Sequence, residues 1–161
     1  MRDPTKSQSS EKEPHPVSVE QNKALARRFV EEGLVNPDVL GEIVADDYVE
    51  SGQQRGLETL KEHIAKNLVG LPDWHFVIED LIAEGDKVVV CWRASATHTG
   101  EWWGIPPTGK EVAWRGMSRL RIADGKIAEQ QVCWNAFWFH EQIGTIPSWD
   151  EIVKQAQSKQ T

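Results

Sequence analysis

Glu50, His98, Ser118 and Gln130 are the side chains of this 161-residue sequence best suited to handling protons and carbonyl oxygens, and eight tryptophans are available to surround them. A carboxylate held among indoles has its pKa raised by desolvation and can serve as acid or base. Glu50 is a candidate for that role, or else a surface residue of the acidic run Asp46-Asp47-Tyr48. His98 closes an apolar run just before a glycine turn. It could shuttle a proton or donate to a developing enolate oxygen, or it could lock the loop 100–109 by bonding to backbone. Gln130 and Ser118 can bind a carbonyl but cannot act as strong bases. Asn135 has the same capacity, but it falls on the other strand parity and reaches the same space only past a bulge or at the strand end. The histidines (His15, His63, His75, His98, His140) and Cys91 and Cys133 show no metal-ligand spacing, so no metal is expected, and no phosphate loop or nucleophile elbow is present.

The elements that must hold these groups follow from periodicity. Residues 1–17 are polar and read as a disordered tail, 18–155 as one domain, and 156–161 as a C-terminal tail. Ser18 with Gln21 makes a capping box, and Leu25, Ala26, Phe29, Val30 and Leu34 recur at helical spacing after it. Asn36-Pro37 opens a second helix with Leu40, Ile43 and Val44 inward, and a third follows Gly56, buried through Leu57, Leu60, Ile64 and Leu68. After Pro72 the period falls to two. Strands are expected at 74–82, 87–98, 111–122 and 126–139, the last two joined by Asp124-Gly125, a hairpin signal because both turn positions favour positive φ. Ser148 with Glu151 predicts a short capped helix. Helices followed by an antiparallel meander predict an α+β fold with helices packed on one face of a curved sheet.

Alternation separates the two sheet faces. The even positions carry Trp92, Trp114, Trp134 and Trp138 together with Ala94, Ala96, Gly116, Ala128 and Ala136; the odd positions carry Arg93, Arg115, Arg119, Arg121 and Glu129. Large rings beside very small residues leave either interdigitated packing or a hollow. His98, Ser118 and Gln130 share that apolar face, where an unpaired polar group costs about 1–3 kcal/mol, so each needs a partner. The expectation is a Trp-walled pocket for a hydrophobic small molecule.

Charge and composition exclude other classes. With 18 basic and 25 acidic residues the net charge is −7, which argues against nucleic-acid binding. The apolar run from Val88 to Trp92 is too short to span a bilayer, the start of the sequence has no apolar signal region, and a cytoplasmic protein is expected. Two cysteines in apolar runs read as buried free thiols.

The segments Asp86-Lys87-Val88-Val89-Val90-Cys91-Trp92-Arg93, Thr97-His98-Thr99-Gly100-Glu101 and Gly104-Ile105-Pro106-Pro107-Thr108-Gly109-Lys110 resemble the SnoaL-like polyketide cyclases, also called ester cyclases. Arg115-Gly116, Asp124-Gly125-Lys126-Ile127 and the opening Asn22-Lys23-Ala24-Leu25 extend the likeness from about Glu20 to Gly144. The resemblance implies the cone-shaped, nuclear-transport-factor-2-like α+β fold, often a homodimer through the outer sheet face, with a deep pocket between helices and sheet. It also implies cofactor-free intramolecular aldol chemistry. Where family members often carry His and Asp on the last strand, this sequence has Gln130 and Val132; where others have Asp after the strand's Trp, it has Asn135; where many have Asp-His after the second helix, it has Glu50-Ser51. The reading is therefore a cyclase or isomerase acting on a polyketide- or terpenoid-like substrate, with Glu50 and His98 handling protons and Trp92, Trp114, Ser118, Gln130, Trp134 and Asn135 binding substrate. Two alternatives stand beside it: a non-catalytic binder of a hydrophobic ligand, and a hydrolase or dehydratase in which Glu50 activates water.

Overall fold

Ser18 caps the first helix as its sequence predicts: its Oγ accepts from the Gln21 N–H at 3.2 Å, and the Gln21 Oε1 accepts from the Ser18 N–H at 2.9 Å. The computed structural model describes residues 18–159, and the expected tail at 1–17 lies outside them. Helix α1 (Val19–Arg28) runs on into a π turn, Phe29–Gly33, that buries Phe29 and Val30. Asn36 then caps a 3-10 turn, Pro37–Val39, which leads into the short α2 (Leu40–Ile43).

Strand β1 (Val44–Glu50) follows and turns back into the two-residue β2 (Gln53–Gln54). Neither strand was expected. Two adjacent exposed aspartates, Asp46 and Asp47, interrupt the alternation that would have marked β1. Helix α3 (Gly56–Gly70) buries Leu57, Leu60, Ile64 and also Asn67. The meander comprises β3 (His75–Glu84), β4 (Lys87–Thr97), β5 (Glu111–Ala123) and β6 (Lys126–Trp134). The sheet order is β2-β1-β6-β5-β4-β3, antiparallel except for β1, which lies parallel to β6. The result is an α+β fold built on an open mixed sheet. At the β5–β6 hairpin both Asp124 (φ 51°) and Gly125 (φ 74°) adopt the left-handed conformation that this two-residue turn requires.

Two expectations about the last strand are corrected. It does not continue to 139: it ends at Trp134, and Ala136–Ile143 form helix α4, which turns Phe139 and Ile143 inward and leaves Trp138 exposed. Pairing also shifts between β5 and β6, with Arg121 opposite Glu129 but Ile122 opposite Ile127. This bulge skips Ala128, so Ile127 is buried in its place before Gln130 resumes the inward parity. Elsewhere the even positions of β4 and β5 face the core as expected: Val88, Val90, Trp92, Ala94, Val112, Trp114, Ser118 and Leu120 are all buried. The cysteines sit at odd positions instead, Cys91 half-buried and Cys133 exposed on the outer face, and both are free thiols. Helix α5 (Trp149–Ser158) carries the Ser148–Glu151 capping box and runs past residue 155, with no residue of its own buried. Among the described residues, no helix is long and apolar enough to cross a membrane.

Candidate functional site

Between α3 and the inner face of the sheet lies a cavity of about 280 Å³. That is close to the lower end of the ~300–1,000 Å³ typical of small-molecule pockets. Six of the eight tryptophans line it. Trp92, Trp114 and Trp134 come from the strands as alternation predicts, while Trp74, Trp102 and Trp103 come from segments flanking them. The rings form a continuous wall: the Trp114 centroid is 6.1 Å from Trp74 and 6.4 Å from Trp134, and Phe139 of α4 stands edge-on to both Trp114 (5.0 Å) and Trp134 (5.8 Å). Interdigitated packing and a hollow coexist here. Gly116 seats the Trp92 ring so closely that a Cβ would lie 2.5 Å from its Cζ2 and Cη2 atoms.

The loop between β4 and β5 supplies the pocket's outer wall. Trp102 and Trp103 both donate their indole N–H to the Oδ1 of Asn67, at 3.0 and 2.8 Å, which accounts for a buried asparagine on α3. The turn that presents them needs positive φ at Trp103 (50°) and Gly104 (83°) and is closed by a bridge from Trp102 to Ile105.

At the buried floor four side chains form a polar chain. The Tyr48 hydroxyl donates to Gln130 Oε1 (2.6 Å), Gln130 Nε2 donates to Ser118 Oγ (3.1 Å), and Trp92 Nε1 donates to the same Oγ (3.1 Å). These groups carry five polar hydrogens, one each on Tyr48, Ser118 and Trp92 and two on Gln130, for three contacts. Two hydrogens remain over: the Ser118 O–H, whose oxygen already accepts twice, and the second Gln130 N–H. Reversing the Gln130 amide does not remove the surplus; it would strand the hydroxyl hydrogen of the fully buried Tyr48. Burial, reinforced by nearby Glu50, pushes the Tyr48 phenol well above its ordinary range and keeps it a donor. Trp74, on the same wall, has a buried Nε1 with no partner among the described residues. The pocket is therefore rich in unused donors and suits a ligand that brings an acceptor oxygen.

Glu50, at the end of β1, lines the cavity as expected, but indoles are not its whole surroundings: Arg55 Nε lies 2.9 Å from its Oε2, and the carboxylate side chain is 17% exposed. His63 on α3 lines the same space, a residue marked in the sequence only by its place one turn from Leu60 and Asn67.

The other two expected site residues lie elsewhere. Asn135 is exposed, and its Oδ1 accepts from the Trp138 N–H as the N-cap of α4, so the end of β6 turns it away from the cavity. His98 is fully buried, but it is not part of the cavity wall. Its Nδ1 pairs with Thr108 Oγ1 at 3.1 Å and its backbone bonds Lys110 and Gly109, which fixes both ends of the β4–β5 loop. Its Nε2 is buried without a partner among the described residues, and burial lowers its pKa. A folded-state pKa below the ordinary value of 6.5 means that the unfolded chain takes up the proton first. The stability His98 contributes is present at neutral pH and lost as pH falls. Urea unfolding should therefore show a drop in stability between about pH 7.5 and about pH 5.5, and the drop should be smaller in His98→Gln. An equal drop in both proteins would assign the acid sensitivity to other groups.

Among the described residues, no group of three or more His, Cys, Asp and Glu side chains could hold a metal ion. No curated protein matches the sequence. Among solved structures, one from Jannaschia sp. CCS1, provisionally called a SnoaL-like polyketide cyclase, is 26% identical with a TM-score of 0.74, covering 83% of this chain and 98% of its own. AclR from Streptomyces galilaeus, provisionally called a hydroxylase, is also 26% identical, with a TM-score of 0.75, covering 88% of this chain and 92% of its own. IdmH from Streptomyces antibioticus, provisionally called a polyketide cyclase, has a TM-score of 0.69 at 23% identity over 77% of this chain and 99% of its own, a likeness of fold alone. The sequence profile of the SnoaL-like polyketide cyclases matches residues 24–143, well over half of the sequence, and the chain belongs to that family.

Proposed function

We propose that this protein closes or isomerises a ring in a hydrophobic, oxygen-bearing substrate of the polyketide or terpenoid kind, using acid/base chemistry without a cofactor. The observation that carries this reading is the donor surplus at the floor of a Trp-walled cavity. The flat body of the substrate lies against Trp114 and Trp134, and a carbonyl oxygen takes the free hydrogens of Ser118 and Gln130. Removing a proton beside that carbonyl makes an enolate, whose oxygen the same two donors hold more tightly than the ketone's. One such donor is commonly worth ~10²–10³ in rate. The enolate carbon then attacks a second carbonyl of the folded chain, a step that gains mainly from confinement. Glu50 supplies the negative charge from which proton transfer at the wall is managed. The expected homodimer would form on the outer sheet face, where Met117 is exposed.

The test is incubation with an aromatic ketoester bearing a free 1,3-dicarbonyl arm, followed by mass analysis. Cyclisation with proton transfer alone gives a product of unchanged mass. A product heavier by one oxygen would favour a hydroxylase instead, and gain or loss of water a hydratase or dehydratase. Tryptophan quenching with no product would favour a binding protein. Glu50→Gln should lower turnover at least about tenfold, with the circular dichroism spectrum unchanged.

A further inference from the structure

We propose that His63, on the helix side of the cavity, is the base that removes the substrate proton, and that Glu50 steadies the imidazolium that forms. The inference rests on reading the cavity as a reaction site, and it assigns the step that reading leaves open.

Three observations converge on His63. First, it and Glu50 are the ionisable side chains of the cavity lining, and of the two the imidazole is the usual base near neutral pH; the remaining polar groups are those of Ser118, Gln130 and Asn67 and indole N–H groups. Second, among the described residues neither nitrogen of its ring is held by a protein hydrogen bond; the ring rests against Trp103, with centroids 5.1 Å apart and planes tilted by 50°. His98 and His140, in contrast, each bind a threonine hydroxyl through Nδ1. Third, it sits on α3 across the cavity from Ser118 and Gln130, which stand on β5 and β6, so a carbonyl held by those two turns its neighbouring C–H toward the helix.

The charged groups that reach His63 are Glu50 on β1, Arg55 just before α3 and Lys66 on α3 itself. Burial lowers its pKa below the ordinary 6.5, Glu50 opposes that shift, and Arg55 and Lys66 add to it. The imidazole is accordingly neutral and able to accept a proton at pH 7. In the aldol reaction the C–H bond breaks, its proton goes to the imidazole, its electron pair forms the C–C bond, and the imidazolium returns the proton to the new alkoxide. The sequence is redox-neutral and needs no co-reactant.

Because the natural substrate is not needed to detect a base, the test uses 5-nitro-1,2-benzisoxazole. This flat molecule loses its C3 proton to a base as its N–O bond breaks, releasing a coloured cyanophenolate. The protein should bind it, quenching tryptophan fluorescence, and accelerate the elimination saturably, with kcat rising with pH through an inflection below about 6.5. His63→Gln should lower kcat at least tenfold with KM within about twofold and erase the inflection. Glu50→Gln should retain the inflection but move it to lower pH, and His75→Gln, on the exposed side of β3, should leave kcat unchanged. If the probe quenches and saturates but His63→Gln keeps the wild-type kcat, or if Glu50→Gln erases the inflection, the assignment of His63 falls while the pocket stands. If the probe neither quenches nor saturates, the pocket reading falls and takes the assignment with it.

Discussion

A Gly100→Ala variant is expected to lose about 3 kcal/mol or more of stability, because a Cβ at that position would lie 1.9 Å from the Val69 carbonyl oxygen and 2.9 Å from its carbon. Both atoms belong to the backbone of α3 and cannot move aside as a side-chain end could. Close approach is what the site requires: the N–H groups of Thr99 and Gly100 both bond the Gly70 carbonyl at 3.2 Å. Gly70 is equally constrained, since a Cβ there would meet the Trp102 Cβ at 2.5 Å. These contacts dock the β4–β5 loop on the C-terminal end of α3, and that docking sets Trp102 and Trp103 into the cavity wall. The loss should appear in urea unfolding and as a fall in Tm of roughly 6–12 °C for a domain of this size. Gly41→Ala, with nothing within 4 Å of the added methyl, should be neutral or slightly stabilising. A Gly100→Ala protein as stable as wild type would mean that the loop is not docked in this way.

The second large effect is expected at Ser118. Among the described residues its Oγ is the one partner of the Trp92 indole and of the Gln130 amide nitrogen, so Ser118→Ala leaves two buried N–H groups unpaired at one stroke. At about 1–3 kcal/mol for each orphan the variant should be destabilised by about 2–6 kcal/mol, some of which a water entering the cavity would offset. It also removes the hydroxyl hydrogen offered to a ligand oxygen, so turnover of a carbonyl substrate should fall at least about tenfold beyond any loss of folded protein. Ser118→Thr keeps both the oxygen and its hydrogen and should retain most of the stability and of the turnover. If Ser118→Ala unfolds like wild type and turns over substrate normally, the polar chain is not the floor of the site.

The elements that depend on neighbouring residues were legible in the sequence. The Ser18 and Ser148 caps, the Asp124-Gly125 hairpin and the inward parity of Trp92, Trp114 and Trp134 all follow from short-range rules, and all appear in the structure. What escaped was set by distant partners. Nothing local announces that Val44–Glu50 pairs parallel to a strand some eighty residues later, and Asp46 and Asp47 hide its alternation. The helix after Trp134 was masked because Ala136 and Trp138 continue the strand's parity; Asn135 as a cap, with Phe139 and Ile143 four apart, was the competing signal. Trp74, Trp102 and Trp103 reach the cavity from segments flanking the strands, where no period specifies direction. His63 could be placed only once α3 had been laid across the sheet.

The parallel pairing of β1 with β6 has a kinetic consequence. Tyr48 and Gln130, which join across that seam, are 82 positions apart, so closing it forfeits far more chain entropy than zipping the β3–β6 hairpins. Such non-local closure belongs among the late events of folding. The Tyr48 hydrogen bond that orients the Gln130 amide at the cavity floor forms only when that seam shuts, and a refolding chain should recover its β circular dichroism before it regains the ability to bind.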